Sequence, residues 1–189
     1  MIGLPSSKSA FLLAAGLCLA LLGCSDDGGS ADGATTTTVA DMSAPPPVIV
    51  DVPMVGEIDA AVAALEAQLG GPQRYFEINA TSKLVNLFVS LNDGALVQPW
   101  VYFDGELSSQ EGRAAGGGTF AAADLQFDAS LVLSKLQTEL PGATIESFYV
   151  NGDGQGNVQY GALVTSAQGG GLDVLLGPAG EVLSVDPIN

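Results

Sequence analysis

The sequence predicts an α+β fold: two αβββ units, each a helix packed on an antiparallel sheet, preceded by a signal peptide and a disordered tether. Three observations predict it. A helix-spaced apolar run occurs twice, each time closed by glycine and proline. Strand-like runs separated by turn residues follow each one. The two series come in the same order.

The first element is a targeting segment, residues 1–23. Lys8 precedes an uninterrupted apolar and small-residue run from Ser9 to Gly23. At about 15 residues it is short for a membrane-spanning helix, which needs roughly 20, and suits a signal-peptide core. The run ends in Leu21-Leu22-Gly23-Cys24. This resembles the bacterial lipoprotein signal, in which an aliphatic residue, a variable residue and a small residue precede a cysteine. The resemblance implies a lipid on the Cys24 sulfur and cleavage before it. Leu22 is a less typical occupant of its place. Cys18 follows Leu17, too large for the small-residue position, and would be removed. The processed chain then holds one lipidated cysteine and no disulfide. The expected location is outside the cell, anchored by that lipid to the outer surface of the bacterial membrane.

Residues 24–55 form the tether. Gly, Ser, Thr, Asp and Pro dominate, and such a stretch buries too little apolar surface to offset its ordering entropy. Pro45-Pro46-Pro47 favours polyproline II. As a coil the tether spans on the order of 30 Å. Val48–Val55 is more apolar and could open the folded part as an edge strand.

The first unit occupies 56–123, its repeat proper running 56–110. Ile58, Val62, Leu65 and Leu69 lie on one helical face, and Gly70-Gly71-Pro72 stops the helix. Strands are predicted at Tyr75–Ala80, Leu84–Leu91 and Val97–Asp104, with Asn92-Asp93-Gly94 as a tight turn. Glu111–Thr119 reads as a flexible loop around Gly116-Gly117-Gly118. Phe120, Leu125 and Phe127 suggest one more strand.

The second unit occupies 124–189. Asp128 or Ser130 caps a helix containing Leu133, Leu136 and Leu140, which Pro141-Gly142 ends. Strands are predicted at Thr144–Val150, Val158–Thr165 and Leu172–Leu176, with Glu181–Val185 as an extension. One register shift places Glu57 on Asp128, Val62 on Leu133, Leu65 on Leu136, Leu69 on Leu140 and Gly71 on Gly142. Leu136–Gly142 and Gly180–Leu183, echoed at Leu65–Gly71 and Gly105–Leu107, resemble PepSY-type modules of exported bacterial proteins. Tandem units of similar shape occur in β-lactamase-inhibitor-like proteins. The resemblance implies a helix on an antiparallel sheet in proteins that bind or inhibit other proteins. It names no target and transfers no inhibitory residue.

Charge bounds the function. The 189 residues carry 21 Asp+Glu against 5 Lys+Arg, a net charge of −16, with no histidine. Phosphate backbones would repel such a chain, so nucleic acid is excluded as a partner. Electrostatic docking to an anionic membrane is excluded as well, and two acyl chains on Cys24 would suffice instead. Without histidine there is no Ser-His-Asp system and no His-ligated zinc. Lys83 and Lys135 sit in no Ser-x-x-Lys arrangement. Gly116–Gly118 lacks the Lys-Ser/Thr of a phosphate-binding loop. No cofactor is expected.

Two segments carry sharper readings. Asn151–Asn157 places oxygen-bearing side chains at alternate positions, as in half a calcium loop. Ala162 stands where the bidentate Glu belongs, which favours a plain hairpin turn. Aromatic residues concentrate between Tyr75 and Phe103. Along Pro99–Asp104, Trp100 and Tyr102 point one way, Val101 and Phe103 the other. One face covers the helix; the other meets the second unit, the tether or a partner. Tyr75, Trp100 and Tyr102 are the candidate binding residues, with burial as the competing reading. The functional expectation is a non-catalytic module binding an exported protein, a cell-wall component or another ligand. The alternatives are a hydrolase using Asp and Glu carboxylates, or a passive envelope component.

Overall fold

A computed structural model describes residues 52–188. The signal segment, Cys24 and the tether up to residue 51 lie outside the described residues. The end of the expected tether is part of the fold. Met54 donates its backbone N–H to the Thr81 carbonyl (2.9 Å), and Val55 is fully buried in a short 3-10 turn. No strand forms at 52–54.

Helix α1 (Ile58–Leu69) follows. Ile58, Ala61, Val62 and Leu65 are its buried face, while Leu69 is partly exposed. Gly70, at φ 83°, ends it in the left-handed conformation that glycine adopts without steric cost. Then come β1 (Arg74–Thr81), β2 (Val85–Leu91), β3 (Leu96–Phe103) and β4 (Glu106–Ser109). Two short strands, β5 (Arg113–Ala114) and β6 (Phe120–Ala121), bracket the glycine-rich segment. Helix α2 (Ala129–Glu139) is capped by Asp128, whose carboxylate accepts from the Leu131 N–H at 3.0 Å. The chain ends in β7 (Thr144–Gly152), β8 (Val158–Thr165), β9 (Gly171–Leu176) and β10 (Val182–Pro187).

The strands correct the expected fold class. They form one antiparallel sheet of ten strands, in the order β10-β9-β8-β7-β1-β2-β3-β4, with β5 added to β3 and β6 to β1. Two separate helix-on-sheet repeats do not exist. The seam is the β1–β7 pair, where Ile78 opposes Val150 and Ala80 opposes Phe148. Its physical reason is the burial pattern. β1 and β7 both carry large apolar residues on the helix side, and either one left as an edge would expose unpaired backbone beside apolar surface.

Register makes the core continuous across that seam. One row runs Leu176, Tyr160, Val150, Ile78, Leu87, Trp100. The next runs Val174, Ala162, Phe148, Ala80, Val85, Tyr102. All but Tyr102 are buried, and both helices contribute to the same cluster through Leu65, Ile58, Val132 and Leu136. The turn at Val55 packs on α2 as well as on β1, so the element preceding α1 helps to hold the second helix. The opposite side of the sheet carries no helix among the described residues; we call it the open face.

Candidate functional site

The three aromatic candidates belong to the interior. Tyr75 in β1 is fully buried; its hydroxyl donates to Glu66 Oε1 at 3.2 Å, and its ring lies 5.9 Å from that of Phe120. Burial, and then the nearby Glu66 carboxylate, push the hydroxyl's ionisation well above the usual range. Trp100 is 7% exposed, with its indole N–H buried and unpartnered. Tyr102 is half-buried against the core on the same side. The structure therefore brings Trp100 and Tyr102 together on the helix-facing side and places Tyr75 in the same core. None of them makes an open aromatic surface.

Alternation along β3 puts the other residues on the open face. Phe103 is 59% exposed, and Val101 is half-buried. Val101 pairs with Asn86 on β2, and Pro99 with Phe88. Apolar side chains thus line the β2–β3 half of this face. Toward β7 it turns polar: Asn79 opposes Tyr149, and Glu77 opposes Asn151.

Two polar residues missed by sequence reasoning organise this half. Tyr149 opposes Gly161, where an added Cβ would run into the Tyr149 ring. The ring therefore lies across the glycine, and its hydroxyl reaches Asp173 Oδ1 on β9 at 2.6 Å. Burial, followed by the Asp173 carboxylate, pushes the Tyr149 hydroxyl upward. Glu77 is half-buried, and its carboxyl is pushed up by that burial, an effect partly offset by the Asn79 side chain. The signal for both was present: a carboxylate inside the apolar run Tyr75–Ala80, and a glycine inside the strand Val158–Thr165.

The Asn151–Asn157 loop satisfies its own acid. Asp153 Oδ1 accepts from the N–H groups of Gln155 (2.7 Å) and Asn157 (2.9 Å), and Oδ2 accepts from the Asn157 side-chain amide (2.8 Å). These bonds hold the Asp153 carboxyl below its ordinary range. They are the hydrogen bonds of a stapled hairpin turn. Among the described residues no three His, Cys, Asp or Glu side chains group so as to hold a metal ion.

Shallow clefts complete the surface. One, of about 360 Å³, lies beside Asp124, Gln126, Asn157, Tyr160 and Pro178. Another, of about 280 Å³, lies on the open face under residues 113–116. No described helix is long and apolar enough to cross a membrane. Compared with known proteins, the chain matches no family model, no curated protein and no solved structure.

Proposed function

We propose that the chain is an exported lipoprotein that acts by binding, held to the membrane through lipid on Cys24 and presenting the open sheet face to a protein partner. The observation that carries the binding role is Phe103. A large aromatic side chain at 59% exposure, continued by Val101 on a sheet face that carries no helix among the described residues, is surface that a partner would bury with gain. The resemblance of Leu21–Cys24 to the lipoprotein signal supports the anchor, and the net charge of −16 supports a covalent attachment over an electrostatic one.

The test is cross-linked capture from the native envelope, comparing the intact chain with Phe103→Ser and Cys24→Ala. Loss of a specific captured protein in Phe103→Ser, with folding unchanged, supports the face. Capture unaffected by Phe103→Ser overturns it. Cys24→Ala should lose acyl labelling and membrane retention; labelling that persists overturns the anchor.

A further inference from the structure

The cleft under residues 113–116 has a composition that selects a ligand class. Its floor is apolar, made by Phe76 on β1, Phe88 on β2 and Val97 on β3. Two charged side chains of opposite sign line it, Glu77 from β1 and Arg113 from β5. Their positions are set by pairing: Glu77 opposes Phe88, and Arg113 opposes Val97. The Ala115 N–H donates to the Ala95 carbonyl at 3.1 Å, which fixes the roof over the start of β3.

Among the described residues neither charge has a counter-ion within the cleft. No ion pair involving Glu77 or Arg113 forms among the described residues, although the two line a cavity of about 280 Å³. A half-buried carboxyl whose hydration is replaced only in part, by the Asn79 side chain, still lacks a cationic partner. Phe88, directly opposite on β2, supplies an apolar neighbour in place of water. A lone cation would meet Arg113, and a lone anion would meet Glu77 and a chain of net charge −16. A dipolar molecule satisfies both groups at once.

We propose that this cleft binds an α-amino acid with an apolar side chain. Its ammonium faces Glu77, its carboxylate faces Arg113, and its side chain lies on Phe76, Phe88 and Val97. The volume suits a ligand of that size, and the polar groups are few and convergent over an apolar floor, as in small-molecule sites generally. Arg113 is exposed and free to swing onto a carboxylate in bidentate fashion. The site goes beyond protein binding and stands whether or not Phe103 contacts a partner.

The experiment is an amide-resonance titration of the full chain with L-phenylalanine, 2-phenylethylamine (no carboxylate) and 3-phenylpropionate (no amine). L-phenylalanine should give saturable shifts at Arg113, Ala115 and Gly116 at millimolar concentration, with each truncated analogue about tenfold weaker or more. Glu77→Gln and Arg113→Gln should each weaken L-phenylalanine binding by about tenfold while leaving resonances of α1 and β8 in place. Glu77→Gln conserves shape and keeps the test valid even where Arg113→Gln shifts the loop. Equal affinity for the three compounds, normal binding by both variants, or no saturable shift up to about 10 mM overturns the proposal.

Discussion

Gly118 and Gly152 face each other across an isolated antiparallel bridge, closely enough that neither tolerates a side chain. A Cβ on Gly118 would lie 2.5 Å from the Gly152 carbonyl oxygen, and one on Gly152 would lie 2.7 Å from the Gly118 carbonyl carbon. The contact joins the segment between β5 and β6 to the end of β7. Arg74 strengthens the same junction, donating from Nε to Thr119 Oγ1 at 2.9 Å and from its guanidinium to the Thr119 carbonyl at 2.7 Å.

Gly118→Ala or Gly152→Ala should therefore destabilise the fold by ~1–3 kcal/mol, since backbone must move on one side or the other. Gly116→Ala, two residues away with open space around it, should stay within ~0.5 kcal/mol of the parent. Urea midpoints of the three variants check this. Equal effects at Gly116 and Gly118 would remove the close approach as the cause.

Trp100 and Phe103 should respond oppositely to truncation. Trp100→Ala empties a buried position in the core row and should cost ~3–5 kcal/mol. Phe103→Ala trims a side chain that stands mostly in solvent and should change stability by less than ~0.5 kcal/mol. Thermal and denaturant unfolding separate the two outcomes.

The Tyr149 ring and Gly161 form one device. Tyr149→Phe removes the hydroxyl bond to Asp173 and should lower stability by ~1 kcal/mol, the moderate figure reflecting partial exposure. Gly161→Ala displaces the whole ring and should cost more, ~1–3 kcal/mol. If the alanine variant unfolds at the parental midpoint, the ring does not depend on the glycine.

Acid should act on this fold in two directions. Asp128, held low chiefly by the Ser130 hydroxyl and then by the Leu131 N–H, stabilises the native state above the ordinary carboxylate pKa. That contribution disappears as pH falls through its depressed folded value, so protection factors at the start of α2, taken relative to the intrinsic exchange rate at each pH, should fall in acid. Glu77 has the opposite sign. Its folded pKa is raised, so its charge costs stability once pH rises past the unfolded value and through the folded one. Glu77→Gln should raise the melting temperature at pH 7 and leave it unchanged near pH 3, where both states are protonated. A residue retained at a cost to stability fits a binding role for that carboxyl.

Local elements were legible because local patterns specify them. The spacing of Ile58, Val62 and Leu65 predicts the observed buried face of α1, and Gly70 predicts its end. Val158–Thr165 coincides with β8, and Asn92-Asp93-Gly94 is the tight turn expected, all three residues at positive φ. β4 escaped notice because Glu106–Ser109 is a polar edge strand, without the apolar alternation that marks a paired one. The Phe120–Phe127 segment makes only a two-residue strand, since a 3-10 turn at Ala122–Asp124 intervenes. The single sheet was not legible at all. Nothing local in Tyr75–Ala80 or Thr144–Val150 says that these strands pair with each other. The aromatic candidates failed as a surface for a related reason: alternation sorts Trp100 from Phe103, but only the assembled sheet says which side receives the helices.

The seam between β1 and β7 also governs how the chain reaches its native state. Its partners lie on the order of 70 residues apart, so closing it costs loop entropy before any pairing returns it. Each meander can zip from its own hairpins, but the central ladder must wait for both. Folding should therefore end in one slow, cooperative step at Ile78–Val150. A chain cut between β6 and α2 would leave two long apolar strand edges bare, each a template for aggregation.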